Sequence, residues 1–174
     1  MADTWTGYNQ GVSFAVNKVM QGILNGGSNV IRIARAGLLN NQTAGVTGVV
    51  CFMELRWYPA TYTWTSPTSV TPVAHDSSNS ALSSVTHGNS GTPGGSSPSV
   101  MRRILWSSDE PAASTATSDE LECFVPLNVI WDAGYGDSDV QKLALRQNQG
   151  WAVYNTTGAA GLVDSWIEFT NAGS

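Results

Sequence analysis

Charged side chains are scarce in this sequence. Asp, Glu, Lys and Arg make up 12% of the 174 residues, where an ordinary globular chain carries roughly 25%. Basic residues are the fewest: Lys and Arg total eight, Arg102 and Arg103 are the only adjacent pair, and the net charge is −5. No basic stripe can track a phosphate backbone, so nucleic acid is not an expected partner. Long apolar runs are also missing, and Met1-Ala2-Asp3-Thr4 lacks the basic and apolar regions of a secretory signal. Neither a membrane span nor export is therefore expected. Cysteine is limited to Cys51 and Cys123, each on the apolar side of an alternating run. Both are expected as buried thiols, a disulfide being the alternative.

The longest gap in charge is also the most telling feature. Across the 45 residues from Trp57 to Met101 only Asp76 is formally charged, and Ser, Thr, Gly and Pro dominate. On either side the sequence alternates apolar and polar residues, the period of half-buried β-strands. Loops beyond about 15 residues in a compact domain are usually functional or disordered. The 59–99 segment is accordingly read as a long polar excursion from a β-scaffold, with strand-like fragments at Tyr62 to Thr65 and Val70 to Ala74 and a mobile stretch from Gly88 to Ser99.

Length and composition fit a single domain over residues 1–174 with its own core. Phe14, Val19, Met20, Ile23 and Leu24 share one helical face, with Ser13 as a possible N-cap and Asn25-Gly26-Gly27 as a stop, which predicts one short N-terminal helix. Residues 1–12 ahead of it, with Trp5 and Tyr8, read as an arm that orders on binding. Strands are predicted from Val30, at Val49 to Trp57, Val100 to Trp106, Glu120 to Val125, Asn128 to Trp131, Leu143 to Arg146, Trp151 to Asn155 and Leu162 to Thr170. Leu143 to Arg146 and Trp151 to Tyr154 look like a hairpin across Gln147 to Gly150. The spacing favours an all-β, antiparallel β-sandwich of the jelly-roll kind.

Residues capable of chemistry are few and poorly arranged for it. His75, Asp76, His87 and Ser90 contain the types of a hydrolase triad, but all lie in one loop with no rigid elements to hold them in register. Asp132 to Asp139 sets three carboxylates among glycines; calcium accepts such oxygens, yet the spacing departs from an EF-hand and suits an ordinary turn. Glu120 and Glu122 alternate outward like a solvated strand face, and Glu54 and Glu168 have apolar neighbours, so no carboxylate pair across a cleft is indicated. No catalytic residue, metal or cofactor is expected.

Seven tryptophans stand out instead. Trp106, Trp131 and Trp151 sit in apolar runs and read as core. Trp166 shares the polar face of its strand with Asp164 and Glu168, opposite Val163, Ile167 and Phe169, and an aromatic so placed is an interface candidate. Trp5, Tyr8, Trp64 and Trp166 are the predicted partner-binding residues.

Four phrases, Leu38-Leu39-Asn40-Asn41-Gln42-Thr43-Ala44-Gly45-Val46-Thr47-Gly48, Thr71-Pro72-Val73-Ala74-His75-Asp76-Ser77, Ile104-Leu105-Trp106-Ser107-Ser108-Asp109-Glu110-Pro111 and Leu143-Ala144-Leu145-Arg146-Gln147-Asn148-Gln149-Gly150, resemble structural proteins encoded in tailed-bacteriophage genomes. The resemblance implies a virion component similar to capsid decoration, or cement, proteins. It implies a homotrimer on the outer capsid surface, the major capsid protein as partner, and assembly in a host cytoplasm. A tail or fibre component and a carbohydrate-binding module are the competing expectations.

Overall fold

Ile31 and Ile33 point one way while Arg32 and Ala34 point the other, the alternation of a strand with one face on the core. The computed structural model describes residues 3–41, 50–59, 61–107, 129–133, 141–157 and 161–172, and among them every regular element is a β-strand. The strands are β1 (Asp3–Ser13), β2 (Lys18–Asn25), β3 (Val30–Asn40), β4 (Val50–Tyr58), β5 (Thr63–Thr65), β6 (Thr68–Ser69) and β7 (Val73–Ala74). They continue with β8 (Val85–Asn89), β9 (Thr92–Gly94), β10 (Ser99–Ser107), β11 (Val129–Asp132), β12 (Leu143–Leu145), β13 (Gln149–Asn155) and β14 (Leu162–Ala172).

Two six-stranded antiparallel sheets form, and β5 pairs with β9 as a separate two-stranded ribbon. Sheet I runs β11-β3-β14-β1-β7, with β12 sharing the outer edge of β3 beside β11; sheet II runs β10-β4-β13-β2-β8-β6. One hydrophobic cluster takes residues from both, including Ile33, Leu38, Ile167 and Phe169 of sheet I and Met20, Ile23, Met53, Leu55 and Trp151 of sheet II. The architecture is a β-sandwich. Bulges keep the apolar phase: β3 slips between Ile33 and Arg35, so that Ile31 and Ile33 and then Ala36 and Leu38 all face inward.

The expected N-terminal helix is replaced by β2. Its apolar spacing arises because β2 is buried on both sides: Met20 and Ile23 enter the central core, whereas Val19 and Leu24 join a second cluster on the outer face of sheet II. A strand covered on both faces loses the period of two and imitates a helical stripe. The expected arm is likewise strand β1, paired with β14 from Asp3↔Asn171 to Ser13↔Leu162 and with β7 at Trp5↔Ala74 and Thr6↔Val73. The expected hairpin does not form either. Its first limb is β12, which pairs β3 in sheet I, and its second is β13, which lies between β2 and β4 in sheet II.

The polar excursion is built into the scaffold. Tyr58 and Tyr62 stack with centroids 4.2 Å apart, and Trp64 follows at 6.5 Å from Tyr62. These rings lie against Val19 and Ala152. Gly22 and Gly150 make room, since a Cβ at either would collide with Trp64 or Tyr62. Gly88 to Ser99, expected to be mobile, contains the end of β8 and all of β9; Gly22↔Gly88 and Trp64↔Pro93 fix their registers. Through β7 and β8 the excursion also covers the edges of β1 and β2, supplying hydrogen bonds that an open edge would lack.

Candidate interaction surface

The outer face of sheet I is where two predicted partner-binding residues meet. Tyr8 of β1 is directly opposite Trp166 of β14, which is directly opposite Gly37 of β3. A Cβ at Gly37 would stand 2.5 Å from Nε1, Cε2 and Cζ2 of Trp166, so the indole lies across the glycine. Trp166 is half-buried by this contact, and Tyr8 is 44% exposed.

Asp164 holds the row in place. Its Oδ2 accepts a hydrogen bond from the Tyr8 hydroxyl. Its Oδ1 accepts from Gly11 N and from Asn41 Nδ2, each at 2.7 Å. Gly11 occupies the β1 bulge at φ 60°, a conformation that glycine adopts without strain. One carboxylate thus ties the bulge, the end of β3 and the tyrosine together. The hydrogen bond to Asp164, then burial and the adjacent negative charge, pushes the Tyr8 phenol up to about 12. The next row joins Thr6, Glu168 and Arg35 in register, with Arg35 Nε 3.3 Å from Asp132 Oδ2. At the sheet edge Thr6 Oγ1 and His75 Nε2 share a hydrogen bond of 2.7 Å. Aromatic surface with fixed polar groups around it is suited to holding a partner.

The other two predicted partner-binding residues do not join this row. Trp5 is 8% exposed and belongs to the central core; Trp64 is 8% exposed and donates Nε1–H to Ser90 O at 2.8 Å beneath the excursion. Among the core tryptophans, Trp106 and Trp151 are buried and Trp131 packs against the cluster while half-buried. The contributions of Gly37, Asp164 and Asn41 were missed in the sequence, because they depend on strand register. Trp166 on a polar strand face was the one local signal.

The histidines serve different neighbours. His87 is buried with its ring over Gly7, and its Nδ1–H donates to Val70 O at 3.2 Å, since a carbonyl can only accept. That leaves Nε2 as an acceptor 3.5 Å from Asn9 Nδ2. Asn9 also donates to Ser165 Oγ at 3.2 Å and accepts from Asn89 Nδ2 at 3.2 Å, which completes a small buried polar network. Burial pulls the imidazole down to about 4 against a weaker opposing effect of the Val70 carbonyl. Ser90 instead donates to Asn89 Oδ1 at 2.8 Å, and Asp76 accepts from Ser78 N and Oγ, each at 2.8 Å.

Cys51 is buried, and burial pushes its thiol up to about 11. Cys123, Glu120, Glu122 and the glycine-rich part of the Asp132 to Asp139 loop, from Gly134 onward, lie outside the described residues. Among the described residues no group of three His, Cys, Asp or Glu side chains could hold a metal. No protein-family model, curated protein or solved structure matches this chain.

Proposed function

We propose that the chain is a non-enzymatic structural protein of a tailed-phage virion, which binds the outer capsid surface and stabilises the head by bridging major capsid subunits. The observation that carries the adhesive part is the Tyr8–Trp166–Gly37 row, an aromatic surface fixed by Asp164 on one face of the sandwich. The phage context rests on the sequence resemblance. Read more finely, the fold is a jelly roll: β1 to β4 alternate between the sheets, β10 stays beside β4 in sheet II, β11 and β12 return to sheet I, and β13 and β14 insert into sheets II and I, the order of two interleaved Greek keys. Copies act as homotrimers at symmetry axes, where repeated modest contacts give high avidity. The histidines support a non-catalytic reading, because His87 is a packing element and His75 is a partner of Thr6.

Co-sedimentation with capsids that lack the protein tests this reading. Wild type should bind in a fixed ratio to the major capsid protein and raise the temperature at which heads burst, while Trp166→Ala should bind at least ten-fold more weakly. Normal binding by Trp166→Ala, or heads equally robust without the protein, would reject it.

A glycan-binding role is the second reading, favoured by the indole lying across Gly37 with the Glu168 carboxylate on the same strand face. Sugar rings stack on such aromatic surfaces through their apolar faces while carboxylates accept from hydroxyls. A glycan array that finds ligands whose binding depends on Trp166 would favour this role over capsid attachment.

A further inference from the structure

The opposite face of the molecule, the outer side of sheet II, carries an open basin of about 730 Å3 between β4, β10 and the end of β13, lined by Phe52, Glu54, Arg56, Arg103, Leu105 and Thr156 among others. At its base Glu54, 4% exposed, is held by two guanidiniums. Arg56 places Nε at 2.9 Å and Nη2 at 2.8 Å from Oε2, and Arg103 places Nε at 2.9 Å and Nη2 at 2.8 Å from Oε1. The guanidinium of Arg56 also lies 3.6 Å above the Tyr154 ring. Burial opposes ionisation of Glu54, but the two arginines outweigh it and keep the carboxyl below its usual range.

The arrangement leaves binding capacity unused. A guanidinium carries five N–H donors, and each arginine meets Glu54 side-on, through Nε and Nη2 alone. The Nη1/Nη2 end of Arg103 remains, on a side chain that is 73% exposed. One carboxylate against two guanidiniums leaves a single excess positive charge, in a protein whose net charge is −5. Beside it Phe52 and Leu105 are direct cross-strand partners, yet they stand 51% and 63% exposed. A charged fork next to a paired apolar surface asks for a ligand that combines one negative charge with apolar groups.

We propose that this basin binds an extended peptide segment of a partner protein through one Asp or Glu side chain. Its carboxylate docks end-on to Arg103, and the apolar residues flanking it cover Phe52 and Leu105. Bidentate pairing of a carboxylate with an arginine fork supplies the geometry, and one excess positive charge matches one monoanion. A dianion such as phosphate is disfavoured by the Glu54 carboxylate directly beneath. The inference concerns the face opposite the Tyr8–Trp166 row and does not depend on the capsid reading.

The test is a titration of 15N-labelled protein, followed by NMR, with the peptide acetyl-Gly-Leu-Glu-Leu-Gly-amide, its Gln analogue and inorganic phosphate. Amide shifts should cluster at Phe52, Arg103, Leu105 and Thr156 with the Glu peptide. The Gln peptide and phosphate should bind at least ten-fold more weakly. Arg103→Ala should lose the Glu-over-Gln preference, and Leu105→Ser, which keeps both arginine contacts, should weaken both peptides alike. If Arg103→Ala fails to fold, the Gln analogue and Leu105→Ser still decide the matter. Equal binding of the two peptides, stronger response to phosphate, shifts centred elsewhere, or no shift at millimolar peptide would each overturn the proposal.

Discussion

The imidazole of His87 fills the volume that a side chain at residue 7 would need: a Cβ on Gly7 would lie 2.6 Å from both Cε1 and Nε2 of the ring. Gly7 belongs to sheet I and His87 to a strand of sheet II, so this glycine sets how closely the two sheets approach beside the excursion. Gly7→Ala should therefore destabilise the protein by about 1–3 kcal/mol, the usual range for overpacking, although alanine otherwise suits a strand better than glycine. Denaturant unfolding of Gly7→Ala, His87→Ala and the double variant checks it. Strict additivity of the two substitutions would show that the contact is not the cause.

Acid should weaken the fold well before general acid denaturation. The folded-state value of His87 is about 4 against an ordinary 6.5. Between those pH values the unfolded chain takes up a proton that the folded chain refuses, so stability falls as pH falls, by roughly 3 kcal/mol in full. Glu54 acts in the same direction at lower pH: its contribution is present above the unfolded carboxyl value and is lost as pH drops through the lowered folded one. Urea midpoints at pH 7, 5.5 and 4.5 should decline steadily. A flat profile, or a His87 ring that titrates above pH 6 by NMR, contradicts this assignment.

Trp64 and Trp166 should separate stability from attachment. Trp64→Ala removes a buried ring from the outer cluster and should cost about 3–5 kcal/mol. Trp166→Ala trims a half-buried surface ring and should cost about 1 kcal/mol, while the loss of partner binding is large. Thermal unfolding and pull-down of both variants measure the two effects. Equal losses of stability would remove the distinction between core and contact residue.

Replacing residues 61–98 by a short linker should not leave an intact scaffold. The deletion uncovers Val19, Tyr58 and Ala152 and strips β7 and β8 from the edges of β1 and β2. The shortened chain is expected to aggregate or to unfold several degrees lower. A soluble, equally stable deletion variant would show the excursion to be dispensable.

Legibility in the sequence followed solvent exposure. β3, β4, β10, β13 and β14 were readable because at least part of one face alternates with a polar one, as with Ile31 and Ile33 against Arg32. β2 was not, because the excursion buries its second face, and β1 was not, because its inward positions include Gly7 and Asn9 rather than a run of large apolar residues. Trp166 could be singled out from its own strand. Its setting could not, since Tyr8, Gly37 and Asp164 are joined by pairings between residues more than a hundred positions apart. The Glu54–Arg103 contact is hidden in the same way, spanning 49 positions across the β4–β10 register.

The pairing of β1 with β14 also governs when this molecule can fold. Asn9 lies opposite Ser165, 156 positions later, and the two strands share almost their entire lengths. During synthesis β1 leaves the ribosome long before its main partner exists, so sheet I cannot close until β14 has emerged. A topology dominated by such distant pairings has a high contact order and folds slowly. Until then no strand β14 can cover Trp5, which is buried in the finished sandwich, so the topology itself lengthens the time for which an aggregation-prone ring can be exposed.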